Sequence, residues 1–546
     1  MNARRNTADL AKCEVRRQIP RDRADGWIRR AAMLLGVIVL AGCAATAEPR
    51  EDFRVDRATK VFTAGFANIQ DKYIEPVDIP ELAFEGMENL DEIDPSLVVT
   101  KSRNSVNLSA GGVQIADLVL PETRTPRDWA RFTARVVSSA RRGSAALHAA
   151  DSETIYEAVF RGALLPLDLH SRYVGMRSAR DYRAQREGFG GIGVRLGFEG
   201  VLPVIEAILP ETPAARSRLR AGDTITHVDG ESLIGFSQRE VIWRLRGLEG
   251  TTVNIRASRS DRINPITVAL KRAQIFNRTV EYERRGDLAL IRVTGFNQRT
   301  SRDLEQTVVG LPWNESPPIR GIVLDLRGNP GGLLDQAVAV ADVFLGSGRI
   351  VSTRGRHPES VQRFNATGRD LAHGTPMVVL INGRSASAAE IVASALQDRG
   401  RAVVVGSNSY GKGTVQNITR LPNEGELILT WSRFHAPSGY TLDRLGVLPN
   451  VCAATLHMGG DPDLRGQMLT AIGEATIALA RWRTFTSFDG LRRSGLRKIC
   501  PSRTDKSKMD LAIAREILRD RRLYARTLGM SAPKLAKKKR ADALTN

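Results

Sequence analysis

The chain is 546 residues long, which is enough for several domains, and 42% hydrophobic against 26% charged residues is a globular balance with material for substantial cores. Lys+Arg 80 against Asp+Glu 60 give +20, but nine basic and four acidic residues up to Arg30, and seventeen basic and five acidic from Leu491 onward, leave only +3 for everything between. Charge confined to the two ends argues against a nucleic-acid binder, and the run Lys534–Arg540 reads as a solvated or membrane-surface tail.

At the N-terminus, Arg29-Arg30 precede the apolar run AAMLLGVIVLAGCAA. The run is too short to span a bilayer stably but suits a signal h-region. It closes on Leu40-Ala41-Gly42-Cys43, which resembles the lipobox of bacterial lipoproteins. That resemblance implies a signal peptide over 1–43, a lipidated Cys43 as the first mature residue, and a periplasmic chain held to the membrane by its N-terminal lipid. Ala44 then favours the outer over the inner membrane. The alternatives are an ordinary signal peptide with Cys43 incidental, or a twin-arginine signal, which the residues flanking Arg29-Arg30 do not fit. The charged stretch ahead of Arg29 is long for an n-region and points to a start codon further downstream. Of the four cysteines, Cys13 falls in the removed segment and Cys43 goes to lipid. Cys452 and Cys500 are free to pair in an oxidising compartment, although sequence does not fix their geometry.

From 44 to 187 the pattern is mainly helical, as in VFTAGFANIQDKYIE and TIYEAVFRGALLPLDL. A β-rich insertion interrupts it near 97–125. Texture changes at Gly188, where short β-rich runs alternate with glycine and proline turns, followed by an amphipathic helix, Ser237–Arg246, and a strand, Thr252–Ala257. The order over 188–274 resembles a PDZ domain of the circularly permuted bacterial type, with LRAGDTITHVDG its most specific stretch. By that resemblance Gly191, Ile192, Gly193 and Val194 form the carboxylate-binding loop, whose backbone N–H groups hold a peptide's terminal carboxylate. From 275 to 455 strands and helices alternate, which predicts an α/β core on a largely buried sheet. Residues 456–546 read as a helical, increasingly basic extension, disordered beyond Met530.

The densest chemistry lies in RSASAAEIVASALQDRGRAVVVGSNSYGKGTVQ. Small residues around Ser387 place its hydroxyl at a helix N-terminus, where unpaired N–H groups favour developing negative charge. Lys412, between Gly411 and Gly413, arrives on the next loop as a candidate general base. It must be dried to act so, since a free lysine with pKa about 10.4 stays protonated at neutral pH. Asp398 returns to the face of Ser387 after eleven residues, but about 16 Å along an unbroken helix. It therefore reads as structural, fixing the turn into Arg401–Val405. The run LRGNPGG, Leu326–Gly332, ends a buried strand, and its glycines permit close approach of a substrate carbonyl.

Three other patterns fail. GSNSYGKG nearly spells a P-loop, but Gly413 stands where Ser or Thr must meet magnesium, and TVQNI after it reads as a strand. Gly188, Gly190 and Gly193 match a dinucleotide fingerprint without the preceding strand. His435 has no G-x-S-x-G elbow to serve, and no ligand spacing supports zinc.

SASAAEIVASALQDRGRAVVVGSNSYGKGTVQ, VLDLRGNPGGLL and APSGYTLDRLGVLPN together resemble the carboxyl-terminal processing (tail-specific) serine peptidases, over roughly Tyr156 to Val451. The resemblance implies a multidomain α/β protein. It would have a ClpP/crotonase-like serine-peptidase core, an inserted permuted PDZ domain, and helical N- and C-terminal regions. In that family the nucleophile precedes the lysine by twenty-five positions, which selects Ser387 over Ser385. The glutamine that assists the lysine falls at Gln416. A backbone N–H of Gly331 or Gly332 joins that of Ala388 as the oxyanion hole. Tyr410 stands where the family often has phenylalanine. Implied substrates are proteins or peptides with free C-termini, without cofactor, metal or nucleic acid; an envelope adaptor and the oligomeric state stay open. The rival reading is a catalytically inactive PDZ scaffold that binds C-terminal tails.

Overall fold

The computed structural model describes residues 53–198, 200–456, 464–485 and 490–529. Expectations for Arg29-Arg30, Cys43 and Lys534–Arg540 lie outside these residues.

Helices Val55–Lys72, Ile79–Glu88, Pro126–Gly143 and Ser152–Leu164 build the N-terminal region. Apolar residues at three- and four-residue spacing put Phe62 and Phe66 on one stripe, where both rings meet Phe160 at centroid distances of 5.6 and 6.2 Å. Two of the starts are set locally, Thr125 accepting from the Asp128 N–H and Asp151 from that of Thr154. The β-rich insertion is a three-stranded antiparallel sheet of Leu97–Lys101, Ser105–Ala110 and Val113–Val119. The core of this region also takes in Leu421, Leu427 and Leu429 from far along the chain.

The PDZ-like unit is an antiparallel sheet in the order Ile266–Lys271, Thr252–Ser258, Thr224–Val228, Val204–Ile208, Val194–Gly197. Val194–Gly197 is therefore an edge strand. Its helix, Gln238–Leu245, starts on a capping box of Ser237 and Glu240. The strands Phe189–Gly191 and Ala273–Ile275 pair antiparallel, so the chain enters and leaves this unit side by side.

The core sheet runs in the order Val280–Arg285, Leu288–Val293, Gly321–Asp325, Met377–Ile381, Val403–Gly406, Val451–Cys452. It is parallel from the second strand on. Its central strands are continuous apolar runs because both faces are covered. Ile291, Ile322, Leu324, Val379 and Val404 face the helices Thr300–Val309, Leu334–Asp342 and Ala388–Asp398. Leu290, Val323, Val378, Leu380 and Val405 face Met468, Ile472, Met509, Ile513 and Ile517 from the C-terminal extension. This extension is thus the second cover of the sheet. A further antiparallel sheet, Gln362–Asn365, Arg349–Arg354, Glu426–His435, Thr414–Arg420, packs beside it, and Arg172–Val174 pairs with its long strand.

Asp398 is structural, but not through the turn that follows it. Its carboxylate accepts from the Ser438 N–H and hydroxyl at 3.0 and 2.6 Å and from Arg483 at 3.0 Å. These partners are distant in sequence, which is why a local reading assigned the wrong one. Cys452 and Cys500 form a disulfide across 48 residues. Closing a loop of that length restricts the unfolded chain by about 4 kcal/mol. Replacing both cysteines with alanine is expected to lower the unfolding free energy by about that amount in denaturant titration.

Among the described residues no helix is long and apolar enough to cross a membrane.

Candidate active site

Ser387 is the residue immediately before the helix Ala388–Asp398, with φ 55° and ψ −114°. A side chain other than glycine in that region is strained, and such strain persists where surrounding contacts impose it. Here they do. The Ser387 N–H donates to Glu390 Oε2 at 2.7 Å, while Glu390 N and Ile391 N both bond the Ser387 carbonyl. The helix is buried along its whole length; the N–H groups of Ala389, Glu390 and Ile391 bond the carbonyls of Ala386 and Ser387, which leaves that of Ala388 as its open first donor among the described residues.

Glu390 was missed in the sequence, and it joins the two halves of the site. Fully buried, its carboxyl accepts from Ser387 N and Lys412 N through Oε2, at 2.7 and 2.9 Å. Oε1 accepts from Gly411 N at 2.6 Å and from the Ser409 hydroxyl. One side chain therefore fixes both the nucleophile turn and the lysine loop. Burial pushes its carboxyl up, against four bonds that favour the charged form. The available signal was the S-x-x-E spacing of a capping box, Ser387 to Glu390.

Lys412 is half-buried, and its ammonium is held below the usual lysine range, chiefly by burial and then by the charge of Arg172. Glu390 and Asp168 oppose that shift. His170 is likewise pushed down, by burial and then by the charge of Lys412. Among the described residues no hydrogen bond joins Lys412 Nζ to the Ser387 hydroxyl. None joins it to Gln416 either, whose Nε2 donates to Thr414 and Thr430 at 2.9 and 3.4 Å. Thr430 in turn donates to Asp168 at 3.0 Å. A cleft of about 1040 Å³ runs along Gly411 and Thr414 and along Asp168, His170 and Arg172.

The oxyanion residues separate into two kinds. Gly331 packs directly on the nucleophile turn, since a Cβ there would sit 2.9 Å from Ser387 Cβ. Its N–H, however, is taken by Asn329 Oδ1 at 2.8 Å. Among the described residues the N–H groups of Gly332 and Ala388 have no acceptor. Gly332 is obligatory, because a Cβ would lie 2.1 Å from the Phe296 carbonyl oxygen. In the PDZ-like unit the carbonyls of Ile192 and Gly193 are tied back to Ala214 and Leu209. Among the described residues the N–H groups of Ile192 and Gly193 have no partner, and they lead into the edge strand that starts at Val194. Gly193 has φ +83°, and a Cβ would collide with Thr212.

The P-loop and dinucleotide patterns are absent in three dimensions. Thr414–Arg420 is a strand and Met176–Glu187 a helix, the reverse of what each motif requires.

Comparison with known proteins identifies the family. The family model described as Peptidase family S41 matches residues 287–453, and the PDZ domain model matches 181–256. The chain is 40% identical over 303 residues to a carboxy-terminal-processing protease of Bartonella bacilliformis, covering 55% of this chain and 70% of that protein. It is 30% identical over 303 residues to a probable CtpA-like serine protease of Staphylococcus saprophyticus, covering 55% and 60%. Among solved structures, the photosystem II D1 C-terminal processing protease is 25% identical, with 59% of this chain and 85% of that one covered and a TM-score of 0.34. The molecule is a serine peptidase carrying a PDZ domain. It belongs to peptidase family S41, among the carboxy-terminal-processing proteases.

Proposed function

We propose that the chain cleaves proteins near their C-termini by a serine–lysine mechanism, with Ser387 as nucleophile and Lys412 as general base. The observation that carries this reading is Glu390, whose carboxyl holds the backbone of both residues at once. Ser387 Oγ attacks the scissile carbonyl and passes its proton to neutral Lys412 Nζ. The N–H groups of Gly332 and Ala388 take the oxyanion, and Gly331 contributes close packing against Ser387 rather than a donor. Collapse of the tetrahedral intermediate transfers the lysine's proton to the leaving amine. Water, deprotonated by the same lysine, then hydrolyses the acyl-enzyme. Lys412 Nζ must reach Ser387 Oγ for the first step, and Gln416, two residues into the adjoining strand, would orient it there.

In the PDZ domain, Gly191, Ile192, Gly193 and Val194 receive the terminal carboxylate, and the peptide adds to the edge strand Val194–Gly197. The lipobox at Cys43 would anchor the enzyme in the envelope, on the periplasmic side. The buried disulfide suits that oxidising compartment.

A fluorophosphonate probe tests the assignment: mass spectrometry should find the adduct on the peptide containing Ser387. An adduct on another serine would sink it. The pH dependence has a definite sign. The base works only as the neutral amine, and its pKa is held below the ordinary lysine value. The kcat/KM is therefore expected to rise with pH and to level off below the value of about 10.4 typical of a free lysine. A pH–rate profile with no rise below about 10.4, or one that falls as the pH rises, contradicts lysine as the base.

A further inference from the structure

We propose that Cys500–Ser507, beyond the residues matched by the peptidase family, is a strap that positions the active site through Asn382. This rests on the assignment of Ser387 as nucleophile. The strap has no regular secondary structure and keeps most of its side chains exposed, while the backbone of Arg503, Thr504, Asp505 and Ser507 is bonded to the peptidase core. Arg503 O accepts from Gly383 N at 2.6 Å, and Arg503 N donates to the Ser407 hydroxyl at 3.0 Å. The Ser502 hydroxyl donates to Asn408 O at 3.0 Å, and Ser507 O accepts from Arg327 at 2.8 Å. Gly383 admits this approach because it lacks a Cβ, which would lie 2.2 Å from Ser502 Oγ.

Asn382 converts these contacts into active-site geometry. It is buried, and its Nδ2 donates to the strap carbonyls of Thr504 and Asp505 at 3.1 and 3.0 Å. Its Oδ1 accepts from Gly328 N at 2.9 Å and Arg384 N at 3.1 Å. Gly328 belongs to the loop that carries Gly331 and Gly332; Arg384 belongs to the turn that carries Ser387. One amide thus fixes the oxyanion loop and the nucleophile turn to each other, and the strap fixes the amide's orientation by consuming both its donors. Arg327, in the same oxyanion loop, adds a second tie to the strap's far end through Ser507 O and Asp510. The disulfide holds the near end, with Cys500 fully buried. Preorganised donors matter most where charge develops in the transition state, so loosening the strap should affect turnover more than substrate binding.

The experiment compares the full chain with Asn382→Asp and with the double variant Cys452→Ala/Cys500→Ala. Aspartate keeps the acceptor for Gly328 and Arg384 but turns a second oxygen on the strap carbonyls. Rates are referred to the folded fraction. Expected for Asn382→Asp is a fall in kcat of tenfold or more with KM within twofold, and an equal slowing of fluorophosphonate labelling at Ser387. The cysteine variant is expected to lower kcat at least threefold with KM unchanged, and it decides the matter if Asn382→Asp does not fold. Unchanged kcat in the folded cysteine variant, with only a lower melting temperature, would make the strap a structural cover and overturn the proposal. Labelling of the wild type at a residue other than Ser387 would instead overturn the underlying assignment.

Discussion

Ser387→Ala and Lys412→Ala are each expected to lower kcat/KM for an unfolded protein with an apolar C-terminus by about 10³-fold or more, while chelators change nothing. The two losses should be far from additive, because either residue alone removes the same proton-transfer step. The double variant should therefore be scarcely slower than each single one. Lys412→Arg should not rescue, since a guanidinium stays protonated at any workable pH. Neither alanine variant should lose stability: Ser387 is partly exposed, and the bonds that hold both loops run through backbone N–H groups. A folded, inactive protein is the expected result, read by substrate cleavage on gels beside a thermal melt.

The second large effect falls on Glu390. Truncation to alanine strands three backbone donors, those of Ser387, Gly411 and Lys412, together with the Ser409 hydroxyl. Each buried donor left unpaired costs about 1–3 kcal/mol, so Glu390→Ala should lose about 4 kcal/mol or more in denaturant titration. The nucleophile turn would also lose a tie that supports its positive φ. Activity per folded molecule is then expected to fall at least 100-fold. Glu390→Gln keeps the shape and, with its oxygen left to Ser387 N and Lys412 N, points its NH₂ group at the Gly411 N–H, so it should fall between alanine and wild type. Wild-type activity in a folded Glu390→Ala protein would remove Glu390 from the account.

The legibility of this site follows from how far each contact reaches. Ser387 and Lys412 stand out because glycines and small residues bracket them and their spacing carries the family likeness. Gly331 and Gly332 were visible as a pair, yet only the fold shows that Asn329 occupies one amide and leaves the other open. Glu390 and Asn382 act by convergence of loops separated in sequence, for which no local pattern exists beyond a capping spacing. Asp398 was read as structural from helix length alone, but its partners, Ser438 and Arg483, lie forty and eighty-five positions on. The C-terminal extension was the largest surprise. Its sequence read as a helical, basic extension without a stated partner, whereas Met509, Ile513 and Ile517 at four-residue spacing form the stripe that closes the sheet. Sparse apolar residues in a charged stretch carry a weak periodic signal, and the sheet face they cover is assembled from strands spread from Leu288 to Cys452.

The separation of Lys412 from Ser387 gives the central claim its sharpest test. A crystal structure of the full chain with a peptide boronic acid bound would present a tetrahedral adduct. The account predicts boron on Ser387 Oγ, one boronate oxygen on the N–H groups of Gly332 and Ala388, and Lys412 Nζ about 3 Å from Oγ. An adduct on Ser387 with Lys412 Nζ out of hydrogen-bond reach of Oγ, or boron on a different side chain, would contradict it.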